Sequence, residues 1–158
     1  SIGGFAWGDW SLTKPGYLTF DFTKWKEAID LGDIGRLSRV TIHEFTHIFN
    51  ADRDSNPKYW SDFQALAAKQ GVFSHYAGSN NLETLPEVVG YYVARCAKDN
   101  PYDSGKFNGY YEWVKETIFA GREFGPAPGT KATCDVTQEQ IPTPSPSVPD
   151  WVRALSGD

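Results

Sequence analysis

The stretch Ile34-Gly-Arg-Leu-Ser-Arg-Val-Thr-Ile-His43-Glu44-Phe45-Thr46-His47-Ile-Phe-Asn50 decides how the chain is read. Its apolar residues Ile34, Leu37, Val40, Phe45, Ile48 and Phe49 fall mostly at helical spacing, which predicts a mostly buried helix over 34–50. Residues four apart on a helix share a face, so His43 and His47 can both reach one ion. Neutral imidazole binds zinc at about 2.0–2.1 Å, and the helix fixes the angle between the two ligands. Glu44 is turned about 100° from His43 around the axis. It stays out of the ligand set but close to it, where it can take a proton from an activated water and pass it to a leaving amine. The competing reading is a helix with two hydrogen-bonded histidines and a solvated glutamate.

Zinc needs a third protein ligand. A metzincin-type continuation would place glycine at position 50 and histidine at 53, but Asn50 and Arg53 stand there, and arginine cannot ligate zinc. No Gly-Thr-x-Asp motif follows the second histidine. Asp52 and Asp54 come too soon, because the helix must end before either could turn back. Glu83 and Glu87 are better placed, four apart at the start of a segment whose Leu85, Val88, Val89, Tyr92, Val93 and Cys96 predict a helix ending near Lys98. Glu83 would face the metal. Glu87 would face the outer nitrogen of a histidine ring, which metal-bound histidines usually donate to such a partner. A local alternative is a capping box, Thr84-x-x-Glu87, with Pro86 in the first turn and Glu83 just ahead of the helix. In the preceding polar loop, 74–81, the phenol of Tyr76 could support developing negative charge. His75 is a rival for that role, a substrate contact or a surface residue.

The order HExxH, then tyrosine, six residues, glutamate, three residues, glutamate resembles the gluzincin group that contains the anthrax lethal factor catalytic domain and the bacterial Pro-Pro endopeptidases. The match is His43-Glu44-Phe45-Thr46-His47, Tyr76, Glu83 and Glu87, within about residues 35–96. Leu85-Pro86 departs from the aromatic and small residues usual after the ligand. The resemblance implies a zincin-like metallopeptidase domain with one Zn2+ held by His43, His47 and Glu83. It implies Glu44 as catalytic base, Tyr76 as a donor to the oxyanion, and Glu87 as the support of a histidine ligand.

Around this centre the chain of 158 residues, 40% hydrophobic and 15% aromatic, reads as globular. Residues 16–22 alternate as a strand. Thr23 is placed to cap a helix running to about Leu31. Asn56 and Pro57 open a helix that reaches Gln70 and stops at Gly71. A last helix covers about 107–120, with Trp113, Ile118 and Phe119 as candidate core and Gly121 as stop. Trp7, Trp10, Trp25 and Trp60 read, like Trp113, as core or surface anchors. The expected class is mainly α with a small β-sheet (α+β). Residues 1–125 would form the catalytic domain, and 126–158 a proline-rich extension packed on it or loosely tethered.

A net charge of −5 lacks the basic excess of a nucleic-acid or anionic-membrane binder, and no apolar run approaches a membrane span. The two cysteines, Cys96 and Cys134, have no CxxC spacing, and a bridge between them would fit a secreted protein. The start at Ser1, without methionine or leader, reads as a processed form or a trimmed one. Together these predict a secreted, monomeric zinc endopeptidase acting on a peptide or protein that pairs with strand 16–22. The alternatives are a catalytically silent zincin-fold binding module or secreted effector, and a latent enzyme with its tail in the cleft.

Overall fold

The structure, a computed structural model, describes residues 17–132 and the backbone of residues 4–7. Strand β1 (Gly4–Trp7) pairs antiparallel with β2 (Tyr17–Phe20), Gly4 opposite Phe20 and Trp7 opposite Tyr17. The expected strand over 16–22 is shortened because Asp21 leaves it to cap helix α1 (Phe22–Asp30). Asp21, not Thr23, is the cap: its Oδ1 accepts from the amides of Thr23 and Lys24.

Helix α2 (Ile34–Phe49) starts from Asp33, whose carboxylate accepts from the Arg36 amide. The helix forms as expected, but its buried face is not the apolar one. Ile34, Phe45 and Phe49 are half or more exposed, whereas His43, Glu44, Thr46 and Asn50 are buried with Val40. The 100° step of the helix turns the polar residues toward its neighbour. A short 3₁₀ segment, Asn50–Ser55, leads to α3 (Pro57–Gln70), with Asn56 as cap and Gly71 ending it at φ +79°.

Helix α4 (Asn81–Val93) is the centre of the packing, meeting α2, α3 and α5 (Asn108–Thr117). It starts earlier than the capping-box reading requires. Asn80 caps it through the Leu82 amide, and the Thr84 hydroxyl, already inside the helix, donates to the Asn80 carbonyl. Glu83 therefore sits in the first turn and Glu87 one turn later. Pro86 lies within the helix and leaves the Leu82 carbonyl without its usual partner. The helix ends at Val93, short of Lys98, because the Asn100 side chain donates to the carbonyls of Tyr91, Ala94 and Arg95 and turns the chain. Helix α5 also ends short of 120. Ala120 and Gly121 both take positive φ, and the Gly121 amide folds back on the Lys115 carbonyl.

The core is aromatic: Phe63, Phe73, Tyr92, Tyr102, Tyr110 and Tyr111 pack with Leu85, Val88, Val89 and Val114. Trp113, Ile118 and Phe119 are partly buried against it rather than at its centre. Each of these four core tyrosines finds an acceptor for its hydroxyl. Tyr92 donates to the Arg122 carbonyl, Tyr102 to Val88, Tyr110 to Gly71, and Tyr111 to the Glu123 carboxylate. The first part of the proline-rich segment is held on the body by Arg95, which donates to the carbonyls of Pro126 and Thr130 and to Asp103. The remainder of that extension, Cys134, Trp10 and the Trp7 side chain lie outside the described residues. The described chain is mainly helical, and no helix in it is long and apolar enough to cross a membrane.

Candidate metal centre

Two facing helices build the centre. His43 and His47 project from α2, and Glu83 and Glu87 from α4, each pair one turn apart. The two helices approach closely at Gly90. A Cβ there would stand 3.0 Å from the Arg39 carbonyl oxygen and 3.7 Å from His43 Cβ. That small residue brings α4 near enough for carboxylates to reach imidazoles.

Three atoms converge. His43 Nε2 and His47 Nε2 are 3.2 Å apart, and Glu83 Oε2 lies 3.3 Å from the first and 3.4 Å from the second. Ligands at about 2.0–2.1 Å from one ion and at tetrahedral angles to each other stand about 3.3 Å apart, so the triangle has the size of one tetrahedral face. Among the described residues these three are the one group of histidine, cysteine and acidic side chains placed to hold a metal. Asp52 and Asp54 stay outside it, and Asp52 accepts from the Ser55 hydroxyl.

The donor chemistry fits a cation. Glu87 Oε1 lies 3.0 Å from His43 Nδ1, and a carboxylate can only accept, so the proton of a neutral ring sits on Nδ1. His43 then offers the lone pair of Nε2 to the triangle. Glu83 Oε2 is buried without an aligned hydrogen-bond donor, though both imidazole nitrogens are near. Electron-rich atoms so placed need a proton or a metal among them.

The protonation equilibria carry the same signature. The adjacent imidazoles of His43 and His47 hold Glu83 down to about 2. Burial alone would lower the pKa of His43, but the carboxylates of Glu83 and Glu87 beside its two nitrogens outweigh this and raise it. Burial would likewise lift Glu87, yet His43, Arg39 and Ser74 together lower it, so the group stays ionised. Glu44 moves the other way: burial raises it against the pull of the two imidazoles. Its residue is 1% exposed, and Oε1 has no hydrogen-bond partner.

Tyr76 stands at the edge of the centre, its ring 5.9 Å from that of His43 and nearly half exposed. Partial burial and the charges of Glu83, Glu44 and Glu87 push its phenol up to about 12, so it remains a hydrogen-bond donor at neutral pH. His75 is exposed beside it.

Two residues that the sequence did not single out complete the support. Arg39 Nη1 donates to Glu87 Oε1 at 2.9 Å, and the Ser74 hydroxyl donates to Glu87 Oε2 at 2.8 Å. Arg39 carries a legible signal, since it lies four residues before His43 and shares its face. Ser74 carries none, because a loop has no periodicity to place its side chain. In comparisons with protein families, curated proteins and solved structures, nothing matches the chain.

Proposed function

We propose that the chain is a zinc-dependent endopeptidase of the gluzincin kind, with a zincin-like fold built on α2 and α4. The observation that carries this reading is the tetrahedral-sized triangle of His43, His47 and Glu83 beside a buried, unpartnered Glu44 oxygen. Zinc held by those three side chains would polarise a substrate carbonyl and bring the pKa of water toward neutrality. Every other step belongs to the chain. Glu44, raised above an ordinary carboxylate, accepts the proton of the attacking water and delivers it to the leaving amine. Tyr76 donates its phenolic hydrogen to the carbonyl oxygen as charge builds there. Glu87 keeps His43 in the tautomer that presents Nε2, and Arg39 and Ser74 keep Glu87 ionised and in place.

The substrate is a peptide or protein, and the enzyme acts as a monomer outside the cell, a setting that a Cys96–Cys134 bridge would suit. Glu44 sets this reading apart from a silent binding module, because a purely structural zinc site gains nothing from a buried carboxylate kept without a partner.

The test is zinc content and peptide cleavage side by side. Wild type should hold one zinc per chain and cleave members of a mixed peptide library. Glu44→Gln should keep the zinc and lose about 10²–10⁴ in rate. Zinc binding without cleavage by either protein would leave the binding module. Cleavage that is unchanged in Glu44→Gln would remove the proposed mechanism.

A further inference from the structure

Next to the centre, bordered by Glu87, lies a cleft of about 470 Å³ to which the proposed chemistry assigns no occupant. Its walls include Arg36, Arg39, His75, Tyr76, Tyr91 and Asp99, so it shares Tyr76 and Glu87 with the metal centre. Two arginines three residues apart on α2 face into it.

Arg39 spends one nitrogen on Glu87 and lays its guanidinium over the Tyr91 ring at 5.0 Å. Its side chain is only 17% exposed, and no other acceptor among the described residues takes its remaining N–H groups. Among the described residues Arg36 has a single distant partner, Glu27 at 3.8 Å, and makes no side-chain hydrogen bond there. A partly buried guanidinium has five N–H donors to satisfy. Arg36 sits in the first turn of α2, where the helix dipole disfavours a cation and favours an anion. The carboxylate already present cannot serve them further, since Glu87 is taken up by Arg39, His43 and Ser74. Asp99 is exposed, screened by water, and offers an acceptor suited to a peptide N–H.

We infer that this cleft is a substrate subsite for a carboxylate, bound by Arg36 and the free edge of Arg39 while the neighbouring backbone lies across Tyr76 toward the metal triangle. The carboxylate is either an acidic side chain near the scissile bond or the C-terminus of a short peptide; the chemistry that recognises it is the same. The inference deepens the peptidase reading and rests on it for the word substrate, but the recognition itself can be measured without turnover.

The experiment uses zinc-loaded Glu44→Gln and a fluorescein-labelled octapeptide of alanines carrying one glutamate, its glutamine counterpart, and the all-alanine peptide with a free or an amidated C-terminus. Anisotropy should show the glutamate or the free-carboxylate peptide binding about tenfold or more tightly than its neutral twin. Whichever pair discriminates identifies the source of the carboxylate. Adding Arg36→Gln should collapse that ratio toward one, with zinc content unchanged. Equal binding within both pairs, or a ratio that survives Arg36→Gln, overturns the subsite. Cleavage of the same peptides by wild type is scored separately. Discrimination without cleavage keeps the subsite and removes the peptidase, and cleavage without discrimination does the reverse.

Discussion

The imidazole of His43 is held between two carboxylates of one helix, with Glu87 Oε1 3.0 Å from its Nδ1 and Glu83 Oε2 3.3 Å from its Nε2. One ring thus joins the metal triangle to the Arg39–Glu87–Ser74 network behind it. The two glutamates, chemically alike and one turn apart, have different tasks because the ring between them has two different nitrogens.

That division gives unequal losses on substitution. Glu83→Ala removes one of three ligands and should abolish binding of one equivalent of zinc under conditions that saturate wild type. Glu87→Gln keeps the shape and removes the charge that fixes the tautomer, so zinc affinity should fall by about 10–100-fold with the site intact. Competition with a chromophoric chelator measures both. A Glu83→Ala protein that still holds one zinc would transfer the third-ligand role elsewhere.

The metal-free protein should be most stable between the ordinary pKa values of its two key groups. His43 is raised above 6.5 by the Glu83 and Glu87 carboxylates beside it, which outweigh burial; its contribution is complete below pH 6.5 and is lost as pH rises through the raised value. Glu83 is lowered from 4.5 to about 2 by the two histidines; its contribution is complete above pH 4.5 and is lost as pH falls toward 2. Thermal melts of chelator-treated protein should therefore peak between pH 4.5 and 6.5. Zinc requires a neutral ring, so its uptake near pH 6.5 should release a proton, read as a dependence of the calorimetric binding heat on buffer ionisation enthalpy.

The local elements were largely legible in the sequence. The 3.6-residue period placed α2 and α4, and Asn56-Pro57 with Gly71 placed both ends of α3. The convergence of His43, His47 and Glu83 was legible because a helix converts spacing into direction. What escaped had non-local or competing causes. The alternation around Asp21 points to a strand, although its side chain caps α1. The end of α4 is set by Asn100, which reaches back to carbonyls five to nine residues earlier, and no local pattern announces it. The exposure of Phe45 and Phe49 is not legible in the sequence, because periodicity finds a face without saying whether the protein buries it or its polar neighbour. Ser74 depends on how a loop folds over Glu87.

The approach of α2 and α4 depends on a missing side chain. A Cβ at Gly90 would press on the Arg39 carbonyl at 3.0 Å, and the obstacle is backbone rather than a movable side-chain tip. Gly90→Val should destabilise the fold by about 1–3 kcal/mol and weaken zinc binding as well, because separating the helices draws Glu83 and Glu87 away from the imidazoles. Urea denaturation with and without zinc tests this. If zinc shifts the midpoint of Gly90→Val as far as that of wild type, the spacing is not what positions the carboxylates.

The segment after α5 is fastened by a different device, and its loss should leave the metal centre alone. Arg95 is 1% exposed and donates to the Pro126 and Thr130 carbonyls and to Asp103, with its guanidinium 5.6 Å from the centre of the Tyr102 ring. Gly125 lies so close that a Cβ there would stand 2.6 Å from Arg95 Cβ, so chain and side chain are fitted to each other. Arg95→Met keeps much of the stem but leaves two carbonyls and a carboxylate without donors. It should cost about 2–4 kcal/mol and open residues 122–132 to limited proteolysis. Zinc content should stay at that of wild type, because none of these contacts touches α2. A protease-resistant Arg95→Met would mean that the Gly129 amide on the Tyr102 carbonyl and the Tyr92 hydroxyl on the Arg122 carbonyl suffice to hold the segment.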